Sequence, residues 1–171
     1  MRYSSILLLA ALLSGWGSAE GPITIYLAGD STMAEKLPEK RPETGWGEAL
    51  QSFFDPDKVR IENHAKNGRS TRTFLEEKLW QAIIDKLKKG EYVFIEFGHN
   101  DAAKNRTERY TPPEDYRRNL VRFISEVREK AAIPVLLTPV MRRRFDKDGQ
   151  FQLQFSNALN RQPGHDLRPN R

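Results

Sequence analysis

Residues 23–32 read Ile23-Thr24-Ile25-Tyr26-Leu27-Ala28-Gly29-Asp30-Ser31-Thr32, an apolar run that passes directly into Gly-Asp-Ser. A run of this length closed by glycine predicts a short strand buried on both faces, as strands of a parallel sheet are. Gly29 is expected to let the chain turn sharply. Ser31 then falls at the carboxyl end of the strand, where open α/β sheets place their ligands. Two readings of Ser31 follow. It is either the N-cap of a helix, satisfying orphan backbone N–H groups, or a nucleophile set beside unpaired backbone donors.

Downstream, the pattern alternates. Thr44 to Phe54 has Trp46, Leu50 and Phe53 or Phe54 at helical spacing, and Pro56 stops it. Val59 to Ala65 reads as a weak strand leading into Asn67-Gly68, strong turn punctuation. Ser70 or Thr71 can cap the next helix, in which Phe74, Leu75, Leu79, Ile83, Ile84 and Leu87 recur at three and four to about Lys89. Tyr92 to Phe97 is the clearest strand and runs into Gly98-His99-Asn100-Asp101. Pro112-Pro113 open a helix with Tyr116, Leu120, Phe123, Ile124 and Val127 on its buried face, and Pro134 to Val140 forms a fourth strand. Strands alternating with helices of this length predict βαβ units, right-handed crossovers and a three-layer α/β/α sandwich with a parallel sheet.

Residues 1–19 read as a secretory signal peptide: Arg2, an apolar core from Ile6 to Leu13, and a small-residue exit at Gly17-Ser18-Ala19. The apolar core is too short to span a bilayer. Cleavage after Ala19 gives a mature chain that starts at Glu20 and has no membrane attachment. The 171 residues contain no cysteine, so an exported fold must stand on its core, which suits a bacterial periplasm or the cell exterior. Residues 20–150 form one domain without repeats or linkers. The net charge of +5, with both signs interspersed, permits an acidic partner. No basic stripe interleaved with aromatics points to nucleic acid. With no cysteine, no histidine pair at ligand spacing and no Gly-rich phosphate loop, no metal or cofactor is expected. Nothing in the sequence specifies an oligomeric state.

Three strand ends bring chemistry to one sheet edge: Gly29-Asp30-Ser31-Thr32, Asn67-Gly68-Arg69-Ser70 and Gly98-His99-Asn100-Asp101. Acyl transfer needs a hydroxyl that attacks a carbonyl and donors already aimed at the oxygen that becomes negative. The backbone N–H groups of Ser31 and Gly68 and the side-chain amide of Asn100 can supply three such donors.

In this order and on these elements, Gly29-Asp30-Ser31, Gly68 and Gly98-His99-Asn100-Asp101 resemble the first three blocks of the SGNH (GDSL-type) hydrolases. The fuller strings AGDSTMA with Gly45-Trp46-Gly47, NGRSTRTF and FGHND resemble one branch, the rhamnogalacturonan acetylesterases, which remove acetyl groups from pectin. The resemblance covers roughly residues 23–150. It implies a flavodoxin-like sandwich, Ser31 as nucleophile, and Gly68 and Asn100 completing an oxyanion hole with the Ser31 amide. It implies an exported serine carbohydrate esterase acting on acetylated polysaccharide. Asp30, His99 and Asp101 are expected to hold Ser31 and Asn100 in place.

The C-terminal part departs from that family. Its members close with Asp-x-x-His, the base and its orienting carboxylate, and no such string occurs here. His64 reads as structural, His99 belongs to a block, and His165 sits beside Asp166 in a tail rich in polar residues, proline and glycine. Residues 151–171 read as a divergent or frame-shifted tail on a C-terminally truncated domain. The alternative to an esterase is therefore an inactive SGNH fragment or a sugar-binding pseudoenzyme. Arg142-Arg143-Arg144 is either a solvated loop or a cationic rim for uronate carboxylates.

Overall fold

The structure is a computed structural model that describes residues 21–142, 145 and 147–150. The leader read at residues 1–19, Arg143, Arg144, His165 and the tail 151–171 lie outside the described residues. Among those described, no helix is long and apolar enough to cross a membrane.

Four strands form one parallel sheet in the order β2-β1-β3-β4: β1 (Ile23–Gly29), β2 (Val59–Asn63), β3 (Tyr92–Glu96) and β4 (Ile133–Leu136). Register pairs Ile25 with Ile61 and Leu27 with Phe94, so β1 lies in the middle and is buried beyond Ile23. That position requires the near-continuous apolar run that the sequence shows.

The sheet separates two apolar layers. On one face, Tyr26, Ala28, Val93, Ile95 and Phe97 pack against α2 (Thr71–Glu76), α3 (Leu79–Ile84) and α4 (Pro113–Glu129). Trp80 of α3 stacks on Phe123 of α4 with ring centroids 4.1 Å apart. Burying a side chain of this size stabilises by roughly 2–3 kcal/mol. On the other face, Ile25, Leu27 and Met33 pack with Trp46 and Leu50, from the short helix α1 (Trp46–Ala49) and the 3-10 turn Leu50–Phe53 that follows it. The architecture is α/β/α, with one thick helical layer and one thin one.

Three expectations are corrected in detail. The predicted helix over 44–54 tightens into a 3-10 turn after one α-turn, and Phe53 is left 78% exposed instead of packing with Trp46. The predicted single helix from 71 to 89 breaks at Lys78, which adopts a left-handed conformation (φ 59°), and α3 ends at Ile84. The apolar spacing survives the break, which is why periodicity alone joined the two pieces. The fourth strand is shorter than 134–140. Ile133 and Leu136 on it, and Val140, Met141 and Phe145 after it, are exposed apolar side chains.

Candidate active site

All four strands run the same way, so the loops that follow β1, β2 and β3 emerge at one edge of the sheet. Backbone bonds seat them there: His64 N–H donates to Leu27 O (2.9 Å) and Lys66 N–H to Gly29 O (3.0 Å).

Gly29 is needed for space. It ends β1 without a positive φ, contrary to the expected sharp turn, and a Cβ there would lie 2.7 Å from Met33 Sδ and 3.0 Å from Glu96 O. The chain then makes one turn, with Met33 N–H and Ala34 N–H donating to Asp30 O (3.2 and 2.9 Å). Asp30 caps this turn: its Oδ1 accepts the Thr32 N–H and hydroxyl, both at 2.9 Å. No helix begins at Ser31, so the N-cap reading of that residue does not hold. Ser31 is partly buried, and its hydroxyl makes no hydrogen bond to any described residue.

Two side chains tie the three loops together. Asn100 Nδ2 donates to Arg69 O (2.8 Å) and lies 3.5 Å from Asp30 Oδ2, joining the third loop to the other two. Lys36, only 6% exposed, donates from Nζ to Ser31 O and to Asn67 Oδ1 (3.2 Å), and pairs with Glu43 (3.0 Å). Gly68 sits between Asn67 and Arg69 with φ 78°, a conformation in which any Cβ is strained. Ser31, Gly68 and Asn100, the three site residues read from the sequence, thus stand on loops bonded directly to one another.

Two buried carboxylates, Glu96 and Asp101, fix this edge. Glu96 accepts the Trp46 indole N–H (2.6 Å) and the Val140 N–H (3.3 Å), and its Oε1 lies 2.7 Å from the Thr32 hydroxyl, for whose single proton it competes with Asp30 Oδ1. Asp101 accepts the N–H and hydroxyl of Thr71 on Oδ1 (2.9 and 2.6 Å), locking the start of α2 to the third loop. Its Oδ2 is buried without a hydrogen-bond partner. Burial pushes the Asp101 carboxyl up to about 6, against the pull of the Thr71 bonds and the Thr111 hydroxyl. Tyr116 donates to Phe97 O (3.0 Å), and burial, reinforced by the Asp101 and Asp30 charges, pushes its hydroxyl well above the usual range, keeping it a neutral donor.

The described histidines do not reach Ser31 by a hydrogen bond. His99 donates from Nε2 to Val140 O (2.7 Å), with Nδ1 3.9 Å from Asp30 Oδ2. His64 faces Glu62 (3.5 Å) and the Tyr26 ring, and burial lowers its pKa. Lys36, Glu96 and Thr32 escaped the sequence reading. The available signal for Glu96 was a carboxylate inside the apolar strand YVFIEF; for Lys36 there was none, because its burial depends on two loops folding over it. Among the described residues no cluster of His, Asp and Glu could hold a metal ion.

The profile of the GDSL-like lipase/acylhydrolase family matches residues 25–164. The chain belongs to this family. Its GDSL-type relatives include the rhamnogalacturonan acetylesterase RhgT of Bacillus subtilis, 41% identical over 131 residues, which cover 77% of this chain and 55% of RhgT. The rhamnogalacturonan acetylesterase of Emericella nidulans is 51% identical over 80 residues, covering 47% of this chain and 29% of that protein. The crystal structure of the protein YxiM of Bacillus subtilis superposes with a TM-score of 0.66 at 28% identity, over 74% of this chain and 36% of YxiM. Axe2, an acetylxylan esterase from Geobacillus stearothermophilus, shares the fold at 19% identity (TM-score 0.52, 68% of this chain and 59% of Axe2). The chain spans about half the length of RhgT and less of the Emericella nidulans protein and of YxiM.

Proposed function

We propose that this chain carries the nucleophile and oxyanion half of an SGNH serine esterase that removes acetyl groups from pectic polysaccharide. The observation that carries the reading is the pair of bonds from Asn100 and Lys36 that hold the Gly68 loop and the Asn100 loop against a Ser31 hydroxyl not used as a cap. The acetylesterase relatives support an acetyl ester as substrate. In this reaction Ser31 Oγ attacks the acetyl carbonyl as a base takes its proton. The carbonyl oxygen becomes negative and is met by the Ser31 and Gly68 N–H groups and Asn100 Nδ2. The C–O bond to the sugar breaks, the sugar oxygen takes the proton, and water then releases acetate from Ser31.

The base is not among the described residues. The reading also places the protein outside the cytoplasm, with a mature N-terminus at Glu20 as its signature.

The test uses a completed protein in which residues 21–142 are joined to the C-terminal half of RhgT. Acetate release from acetylated rhamnogalacturonan is expected, with Ser31→Ala abolishing it. Asn100→Ala lowers kcat about 10²–10³-fold with little change in KM. Acetate release that survives Ser31→Ala overturns the reading.

A further inference from the structure

Of the cations on and around the loop that carries Gly68, three are neutralised by carboxylates. Lys36 pairs with Glu43, Arg69 with Glu77 (2.9 Å) and Arg72 with Glu76 (3.0 Å). Lys66, exposed, and the half-buried Arg109 have no carboxylate partner among the described residues, and it is Arg109 that comes up to the glycine. Its guanidinium comes to 3.4 Å from the position that a Cβ on Gly68 would take, so it borders the open side of the glycine proposed for the oxyanion hole. It makes no ion pair or side-chain hydrogen bond with any described residue, and its Nε is buried without a partner.

The position of Arg109 is built. Arg72, held by Glu76, donates to Thr107 O (3.0 Å) and Tyr110 O (3.2 Å) on either side of it. Thr111 N–H donates to Asp101 O (3.1 Å), and Arg109 N–H to Arg106 O (3.0 Å). An arginine cannot shed its charge, and a half-buried one without an anion keeps an unmet desolvation cost. A planar fork of donors matches a carboxylate in two parallel bonds.

We propose that Arg109 is a specificity residue that binds a carboxylate of the substrate next to the acetyl ester, selecting an ester on an acidic sugar over one on a neutral sugar. This rests on the esterase reading for its site and names the substrate class of that site. Arg109 acts by binding the ground state and the transition state of acidic substrates alike, so its signature is a preference between ligands.

The test is a binding titration of the full chain with two probes, an acetylated trigalacturonate and a neutral acetylated xylotriose. The acidic probe is expected to bind about 10- to 100-fold more tightly, the usual value of a charge-assisted bidentate contact. Arg109→Gln erases that preference and Arg109→Lys restores part of it, because lysine keeps the charge and loses the fork. A general loss of structure weakens both probes together and leaves the ratio standing. A wild-type chain without preference, or a preference that persists in Arg109→Gln, overturns the proposal. Binding is read without turnover, so failure here is distinct from failure of acetate release in the completed protein.

Discussion

Asp101 shows how a single buried group shapes stability. Its carboxyl is fully buried, with one oxygen doubly bonded to Thr71 and the other unpartnered. Burial raises its pKa from 3.8 to about 6, a gap of about two units that corresponds to roughly 3 kcal/mol. The folded state therefore holds the proton more tightly than the unfolded chain. This group lowers stability above about pH 6, and the penalty is relieved as pH falls from 6 towards 4. Asp101→Asn keeps an acceptor for Thr71 and removes the charge. It is expected to raise the unfolding free energy by a few kcal/mol at pH 7.5 and to differ little from wild type at pH 4.5, read by urea unfolding of the full chain at both values. An equal difference at the two pH values would sink this account. The sequence showed Asp101 only as the end of a motif, because its burial depends on Thr71 thirty residues away.

At the scale of elements, the strands were legible because their signals are local. β1 and β3 are apolar runs closed by glycine or a Gly-His-Asn turn, and the structure moves their ends by a residue or so. The loops were half legible. Asn67-Gly68 announced a turn, where Gly68 takes a positive φ, and Ser70 announced its cap, which forms a full capping box with Thr73. Lys78 gave no warning of the break between α2 and α3, since lysine is an ordinary helix former. The Gly45-Trp46-Gly47 segment was read as part of a family string and of a helix, with no packing role. It is a close backbone crossing: a Cβ on Gly45 would lie 2.0 Å from Ala34 O, while Trp46 N–H donates to Thr32 O (3.0 Å) and its indole to Glu96. Gly45→Ala must push the Ser31 turn away from α1. Its expected cost is about 2–4 kcal/mol in urea unfolding, in the range of severe overpacking. A change below about 0.5 kcal/mol would show that the crossing relaxes freely.

At the scale of the molecule, the chain is a parallel sheet that gathers the loops of Ser31, Gly68 and Asn100 at one edge and leaves apolar side chains on and after its last strand exposed, Ile133 at 41% and Leu136 at 46%. A serine, a glycine and an asparagine at three strand ends suggested acyl transfer, because a hydroxyl, a closely approached backbone N–H and an amide are the groups that chemistry needs. The devices that hold them did not announce themselves, because Lys36, Glu96 and Arg109 become special only through contacts distant in sequence. The central claim is that Ser31 is the nucleophile. The most direct measurement is covalent labelling with a fluorophosphonate, followed by mass spectrometry of the peptide that contains Ser31. In the completed protein the label is expected on Ser31 and is lost in Ser31→Ala. A label on another residue, or labelling that persists in Ser31→Ala, would contradict it.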